Sequence, residues 1–331
     1  MITTAHQHPA IDMHTHVHPD MAATLAEIMD ANHLSRVVNL GILEALGIPL
    51  EDGMRAFRNS LGDRVVYLST PDFSQTAPGF GQRMAQDLER KVEAGARGLK
   101  IFKELGLRHR DIAGQLIPVN DPRLDPLWAK AGELAVPVLM HIADPVAFFQ
   151  PLTEDNERWD ELQAHRDWHF GTPEFPDHDA LLAQRNHAIE RHPGTIFIGA
   201  HLGNYPEDLD YVDACLDRYP NFFVDTTARI GEIGRHSIEM VRAFFLKHQD
   251  RVLFGTDLTL GWEAFDEPEH DNMETVKLFY DRHWRFFETR QQQIDHPYPI
   301  QGRWKVDAIG LPGEVLNKLY SANAQRLIPG L

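Results

Sequence analysis

Short β-rich runs alternate with amphipathic helical segments along this chain of 331 residues. Val, Ile and Phe concentrate in the short runs, and Ala, Leu and Glu recur at helical spacing between them. The predicted strands cover residues 11–16, 37–41, 65–70, 98–102, 136–141, 195–201, 222–227 and 252–257. The clearest predicted helices cover residues 79–94, 122–135, 178–191, 206–219 and 237–248. Eight such β-α steps predict an α/β fold, a (β/α)8 TIM barrel with its active site at the carboxyl ends of the strands.

Two connections are long enough to be extended loops of this barrel. Residues 142–177 follow the fifth strand and are rich in Trp and Phe, so we expect them to overhang the pocket. Residues 258–309 follow the eighth strand and contain Trp262, Phe265 and a helical stretch over 272–293. No linker divides the chain and single barrels reach this length, so we expect one domain over residues 1–331.

Composition and charge exclude several classes of protein. Acidic residues exceed basic ones by 49 − 32 = 17, which disfavours binding to nucleic acid or anionic membranes. No apolar run reaches the roughly 20 residues that a membrane span requires. The first nine residues lack the pattern of a signal peptide, and Cys215 is the single cysteine, so we expect a cytoplasmic protein. The expected partner is a small-molecule substrate, and formation of a homo-oligomer is left open.

Histidine and aspartate side chains close several of the predicted strands. His14 and His16 lie two residues apart in the first strand, so their side chains point to the same side. His141, His201 and Asp257 end the fifth, sixth and eighth strands. His141 or His201 alone has a simpler interpretation as a hydrogen-bonded residue at the barrel rim. The His14–His16 pair alone could be surface histidines of a His-rich N-terminus, in which His16 and His18 offer a second pair. Together, imidazole and carboxylate donors at neighbouring strand ends predict a divalent metal site.

These motifs resemble the amidohydrolase superfamily, specifically the amidohydrolase family 2 branch. The similarity extends over nearly the whole chain and rests on IDMHTH, GLKIF, VLMH, GAHLG, FGTD and the terminal LYSANAQRL. The branch includes aminocarboxymuconate-semialdehyde decarboxylase and related nonoxidative decarboxylases. The resemblance implies a metal held by His14, His16, His141 and Asp257, with His201 as general base or acid. Three imidazoles and a carboxylate suit Zn²⁺ best, and Asp257 is also a candidate for proton transfer.

Lys100 leaves the number of metal ions open. It lies in GLKIF near the end of the fourth strand, where binuclear amidohydrolases place a carbamylated lysine that bridges two metals. In that arrangement Lys100 and His201 are also ligands, and His141 and His201 hold the second ion. In mononuclear members the lysine stays an ammonium and can bind a substrate carboxylate. We favour one metal ion, with Lys100 as a substrate-binding residue.

Arg229 is the second candidate for binding a substrate carboxylate. It follows the seventh strand, and its guanidinium could pair with a carboxylate through two hydrogen bonds, although a structural role is an equal alternative. The loops after the third and fourth strands carry four further candidates, for which an ordinary place in the polar rim is the simpler interpretation: Asp72, Phe73, Lys103 and Glu104.

The predicted function is that of a metal-dependent hydrolase. A metal-activated water would attack a carbonyl of a small, carboxylate-bearing substrate. The alternative is a metal-dependent nonoxidative decarboxylase, a lyase that acts on a small carboxylic acid. Both enzymatic interpretations are favoured over a noncatalytic barrel scaffold, because a scaffold has no reason to keep five metal-competent residues at strand ends.

Overall fold

The computed structural model describes residues 8–261, 270 and 272–331, so Trp262 and Phe265 of the second long loop lie outside the described residues. The chain forms two compact units. Unit 1 takes in the described residues of Met1–Leu68, Asp225–Tyr298 and Trp304–Leu331. Unit 2 consists of Ser69–Val224 and Pro299–Arg303. The single domain expected over residues 1–331 stays a prediction.

The strands follow the chain order that the sequence predicts, with additions near the C-terminus. They are β1 (Ala10–Val17), β2 (Leu34–Leu40), β3 (Val65–Leu68), β4 (Leu99–Ile101), β5 (Val138–Met140), β6 (Phe197–Gly199), β7 (Phe222–Asp225), β8 (Val252–Leu253), β9 (Leu258–Leu260), β10 (Ile294–Asp295) and β11 (Lys305–Val306).

Helices occupy the gaps between these strands. They are α1 (Ala22–Ala31), α2 (Ile42–Ala45), α3 (Leu50–Leu61), α4 (Phe80–Glu93), α5 (Glu104–Leu107), α6 (Asp125–Glu133), α7 (Trp159–Ala164), α8 (His178–Arg191), α9 (Ala200–Gly203), α10 (Leu209–Arg218), α11 (Ile230–Ile233), α12 (Ile238–Lys247), α13 (Met273–Glu288), α14 (Gly313–Asn317) and α15 (Asn323–Leu327). Each of the five predicted helices therefore has a counterpart.

In unit 1, a parallel sheet has the strand order β3-β2-β1-β9. All eight residues of β1 are buried, as expected where a parallel sheet is covered on both faces. Strands β10 and β11 form a separate antiparallel hairpin. In unit 2, β4, β5, β6 and β7 are parallel neighbours, with Leu99, Val138, Phe197 and Phe222 in register.

The eighth predicted strand is shorter than expected. The sequence predicts a strand over residues 252–257, but β8 ends at Leu253 because the following amides bond outside a regular ladder. The Phe254 amide donates to the Leu319 carbonyl at 3.0 Å, and the Thr256 amide donates to the Asp12 carboxylate at 3.0 Å. The chain then forms β9, which pairs with β1, within a region that the sequence assigned to a long loop.

Helix α13 supplies much of the apolar core of unit 1. An Asn272–Thr275 capping box starts the helix, since both side chains satisfy amides that have no partner inside it. Its inner face carries large aromatic residues at helical spacing, including Phe279, Tyr280 and Phe287, all buried. This burial fixes α13 against unit 1 and brings the Tyr280 hydroxyl to the Asp12 carboxylate at 2.7 Å.

The loop over residues 142–177 contains short helical turns, including α7, held by aromatic contacts. The rings of Phe148 and Trp168 stack with centroids 6.3 Å apart, and those of Phe149 and Phe170 lie 5.6 Å apart. Its expected place over a pocket stays a prediction. Within the described part of the chain, no helix combines the length and hydropathy that crossing a bilayer requires. The alternation of parallel strands and helices confirms the α/β class and is the pattern expected of a TIM barrel.

Candidate active site

Two histidines of β1 and one aspartate after β8 form a compact group of metal-competent side chains. His14 and His16 are both buried, whereas the Asp257 side chain keeps 27% of its surface exposed. Their ligand atoms all lie within 4.8 Å of one another. The Nε2 atoms of His14 and His16 each lie 3.4 Å from Asp257 Oδ1. The structure thus brings together three of the residues predicted to bind the metal.

Acceptor groups behind the two imidazoles determine which ring nitrogen faces Asp257. His14 Nδ1 lies 2.9 Å from Oδ2 of the buried Asp225, and His16 Nδ1 lies 2.9 Å from the Leu40 carbonyl oxygen. A carboxylate and a carbonyl only accept hydrogen bonds, so each Nδ1 carries the proton. Each Nε2 therefore presents its lone pair toward Asp257, where it can coordinate a metal ion.

The local backbone is shaped to bring Asp257 to the end of β1. The Asp257 amide donates to the His14 carbonyl at 2.9 Å, and Asp257 has a left-handed backbone with φ of 74°. Gly255 is required nearby, because a Cβ there would lie 2.4 Å from Thr227 Oγ1 and 3.1 Å from His14 Cβ. A strained residue held by close packing is common at functional sites.

Asp12 joins β1 to the turn that carries Asp257. Its fully buried carboxylate accepts hydrogen bonds from the Thr256 amide at 3.0 Å, the Thr256 hydroxyl at 2.6 Å and the Tyr280 hydroxyl at 2.7 Å. Burial raises the pKa of the Asp12 carboxyl to about 6, although these hydrogen bonds act in the opposite direction. Asp12 therefore fixes the relative position of His14 and Asp257.

The donor set fits a divalent metal ion. Two ligand atoms, each about 2.1 Å from one ion in tetrahedral geometry, are separated by about 3.4 Å. The distances from Asp257 Oδ1 to both Nε2 atoms, 3.4 Å each, agree with that separation. Two imidazole lone pairs and a carboxylate are also the ligands that borderline divalent ions prefer.

In unit 2, His141 and His201 lie against each other. His201 Nε2 is 3.3 Å from His141 Nδ1, and the ring centroids are 4.2 Å apart. The predicted sixth strand ends at His201, but β6 ends at Gly199 and His201 lies in the following turn. Residues 201–204 all have positive φ, between 53° and 68°. This left-handed turn is a local strain that holds the His201 ring beside His141.

Asp144 contacts His141 and was not identified from the sequence. Its Oδ1 lies 3.0 Å from His141 Nε2, and its Oδ2 lies 2.5 Å from the Lys103 ammonium. Burial opposes ionisation of Asp144, but the charge of Lys103 and the bond to His141 outweigh it and hold the pKa of that carboxyl well below its usual range. Burial also lowers the pKa of His141 to about 4, and the positive charges of Lys100 and Lys103 contribute.

The two predicted substrate-binding cations are both buried. Lys100 lies in the middle of β4, in register with Leu139 of β5, and its Nζ is 5.1 Å from the centroid of the Phe102 ring. Arg229, just before α11, is 6% exposed and donates to its neighbour's carbonyl, that of Ala228, at 2.7 Å. Their roles toward a substrate stay predictions, as does carbamylation of Lys100.

Three carboxylates that contact the backbone or the rings of these histidines were not identified from the sequence. They are Asp12, Asp144 and Asp225. Asp225 ends the buried strand β7, which is the same kind of signal that pointed to Asp257. Asp144 follows His141 by three residues, within reach of a local contact. Lys103 was expected to be an ordinary rim residue, but it forms a buried ion pair with Asp144.

Comparison with known structures supports the fold assignment. One similar structure is 2,6-dihydroxybenzoate decarboxylase in complex with 2,6-dihydroxybenzoate, with a TM-score of 0.55 and 15% identity over 97% of this chain and 99% of that one. Another is dihydroxybenzoic acid decarboxylase from Polaromonas sp. JS666 with bound manganese and the inhibitor 2-nitroresorcinol, with a TM-score of 0.57 and 13% identity over 97% of each chain. Identities this low establish a shared fold only.

A third structure and the family comparison extend this result. An amidohydrolase from Burkholderia multivorans with bound HEPES gives a TM-score of 0.50 and 12% identity over 96% of this chain and 98% of that one. No curated protein matches the chain. The family model described as Amidohydrolase matches residues 70–330. The chain therefore belongs to the amidohydrolase family and is a metal-dependent enzyme of the amidohydrolase type.

Proposed function

We propose that this protein is a zinc-dependent hydrolase in which a water molecule attacks the carbonyl of a small, carboxylate-bearing substrate. The observation that carries the proposal is the group formed by His14, His16 and Asp257, in which both Nε2–Oδ1 distances are 3.4 Å and all donor atoms lie within 4.8 Å of one another. We assign one zinc ion to these residues. His141 as the fourth ligand and His201 as the acid or base are carried over from the family resemblance.

Asp257 is the residue best suited to accept a proton from the attacking water. Its side chain is 27% exposed, whereas those of His14 and His16 are 1% and 10% exposed. When bound, a divalent ion supplies a Lewis acid and lowers the pKa of a coordinated water. The carboxylate of Asp257 would take the proton as the water adds to the carbonyl carbon, while Asp225 and the Leu40 carbonyl would keep Nδ1 of both imidazoles protonated.

The proposed substrate class rests on two basic side chains, each a candidate for binding a carboxylate. Lys100 is fully buried and Arg229 is 6% exposed. We propose that each contributes to recognition of a carboxylate, with the planar guanidinium of Arg229 able to bind both oxygens.

Decarboxylation is the second candidate reaction. Two of the structurally similar proteins are a 2,6-dihydroxybenzoate decarboxylase and a dihydroxybenzoic acid decarboxylase. The same residue set would serve that chemistry, because an acid that protonates the ring carbon replaces the base that activates water. Lys100 and Arg229 would bind the carboxylate of such a substrate acid, which leaves as neutral carbon dioxide after the ring carbon is protonated.

One set of assays separates the two reactions. Zinc-loaded enzyme is offered a panel of small carboxylic acids that also carry an ester, lactone or amide, together with dihydroxybenzoates. Hydrolysis incorporates ¹⁸O from labelled water into the product acid, whereas decarboxylation releases carbon dioxide without such incorporation. His14→Ala and Asp257→Ala should lose both zinc and turnover. Wild-type protein that neither retains nor takes up a divalent metal would refute the proposal.

The number of metal ions needs a separate test. With one ion, His201→Asn keeps the wild-type metal content and lowers the rate by about 10²- to 10⁴-fold, because only proton transfer is lost. With two ions bridged by a carbamylated Lys100, both His201→Asn and Lys100→Ala lower the metal content from two per chain toward one. Elemental analysis of the three proteins decides between these outcomes, and we propose the mononuclear one.

A further inference from the structure

A buried carboxylate in unit 2 lies directly behind His141. Asp144 is 4% exposed, and both of its oxygens have partners: His141 Nε2 at 3.0 Å and the Lys103 ammonium at 2.5 Å. Neither contact belongs to the group formed by His14, His16 and Asp257. The proposed hydrolytic mechanism therefore gives no function to Asp144.

The direction of each hydrogen bond follows from the chemistry of the groups. The Asp144 carboxylate only accepts, so His141 Nε2 must donate to it. A neutral imidazole has a single N–H, so His141 Nδ1 carries a lone pair. His201 Nε2 lies 3.3 Å from that lone pair and therefore donates. The result is a directed chain in which Asp144 determines the tautomer of His141, and His141 in turn determines that of His201.

Two side chains from the segment after β6, those of Asn204 and Glu207, fix the backbone around Asp144. Asn204 donates through Nδ2 to the Ala143 carbonyl at 2.9 Å, and its Oδ1 lies 3.4 Å from the Ile142 amide. The Val146 amide donates to Glu207 Oε1 at 3.0 Å. These contacts hold the residues on both sides of Asp144 against the turn that carries His201. Asp144 is thus pre-positioned rather than free to follow His141.

Lys103 compensates the negative charge of Asp144 in this buried site. Its ammonium neutralises Asp144 and lies 4.4 Å from the centroid of the Trp168 ring, within range of a cation–π contact. Without a cation, a carboxylate this deeply buried would carry a large desolvation cost. The residue that the sequence placed on the polar rim is therefore part of the same array.

We infer that Asp144 is a positioning residue that holds His141 in the Nε2–H tautomer and makes Nδ1 the nitrogen available for metal binding or proton exchange with His201. The inference deepens the proposed function, and its catalytic meaning rests on that function. Its structural content is independent of which reaction the enzyme performs.

The test is nitrogen NMR of the full-length, metal-free protein labelled with ¹⁵N-histidine. His141→Gln identifies the His141 signals. We expect a protonated Nε2 and an unprotonated Nδ1 in the wild type, and a changed tautomer in Asp144→Ala. The chain offers a matched control: His192 Nε2 lies 3.0 Å from Asp125 Oδ1, so Asp125→Ala should affect His192 and leave His141 unchanged.

A second measurement tests the functional meaning. Asp144→Ala should weaken zinc binding or turnover by about 10- to 100-fold, as loss of a carboxylate behind a metal-site histidine does, whereas Asp125→Ala should not. An Nδ1–H tautomer in the wild type would overturn the inference even if Asp144→Ala failed to fold. An unchanged tautomer in folded Asp144→Ala would overturn it as well. A changed tautomer with unaltered zinc binding and turnover would support the positioning of His141 by Asp144 and refute its importance for the metal site. If the wild type bound no zinc, the proposed function would fail while the tautomer result still decided the role of Asp144.

Discussion

Removal of Asp225 tests how far an orienting carboxylate controls the metal site. Its Oδ2 lies 2.9 Å from His14 Nδ1, and both side chains are withdrawn from water, with 0% and 1% of their surfaces exposed. In Asp225→Ala the His14 ring loses the acceptor that fixes its tautomer and the anion that raises its basicity. We expect the zinc dissociation constant to rise by about 10- to 100-fold, equivalent to about 1.4–2.7 kcal/mol.

Folding stability must be measured separately from zinc affinity. Loss of Asp225 leaves a buried N–H donor without its acceptor, which costs about 1–3 kcal/mol in the free energy of unfolding. Urea unfolding of the metal-free protein measures that cost, and competition with a chelator measures zinc affinity at a temperature where the variant is folded. The zinc affinity of Asp225→Asn should lie between those of the wild type and Asp225→Ala, because the amide oxygen accepts the same hydrogen bond but carries no charge.

Asp125→Ala is the control variant. It removes a carboxylate whose Oδ1 lies 3.0 Å from Nε2 of another histidine, His192, and should leave zinc affinity unchanged. If folded Asp225→Ala bound zinc as tightly as the wild type, His14 would not depend on Asp225 for metal binding. The assignment of His14 Nε2 as a ligand would then lose its main structural support.

Three further predictions address the substrate, the packing and the pH dependence. Arg229→Met should raise KM strongly for a substrate acid and much less for its neutral amide, and equal losses in steady-state kinetics would indicate a structural role. Gly81→Ala should destabilise the fold by about 1–3 kcal/mol or more in urea unfolding, because the new Cβ would lie 1.8 Å from the Arg123 carbonyl oxygen, whereas Gly194→Ala, with no atom within 4 Å of its Cβ, should be nearly neutral. Burial lowers the pKa of His283 from 6.5 to about 3. The stability that neutral His283 contributes is therefore complete above pH 6.5 and is lost as the pH falls toward 3, by up to about 1.4 kcal/mol per pH unit. The free energy of unfolding of His283→Gln should depend less steeply on pH over that range, and an unchanged slope would contradict the assignment.

The fold could be predicted because its signals are local. Alternating strand and helix patterns need only neighbouring residues, and every predicted strand has a counterpart in the structure. Strand β9 was missed because a run of three residues, Leu258–Leu260, carries too little pattern to distinguish a strand from a loop. The premature end of β8 was missed because it depends on the Asp12 carboxylate, which replaces a strand partner for the Thr256 amide.

The metal-competent residues could be predicted for a similar reason, since spacing within one strand determines that His14 and His16 share a side. The groups that orient them could not, because those contacts join distant parts of the chain. His14 and Asp225 are separated by 211 positions, and Asp12 and Tyr280 by 268. No periodicity within a strand or helix carries information over such a separation, and an acidic residue at a buried strand end has several equally good structural explanations.

Distant contacts decide which nitrogen of each histidine ring carries a lone pair. Sequence identifies histidines but not which nitrogen of each ring is available, and that choice determines whether an imidazole can bind a metal. In unit 1 the choice is made by Asp225 and the Leu40 carbonyl, and in unit 2 by Asp144. The first two leave Nε2 available, whereas Asp144 leaves Nδ1. A family motif can therefore be intact while the tautomers differ, and substitutions at the orienting acceptors should alter metal affinity and rate without changing any residue of the motif.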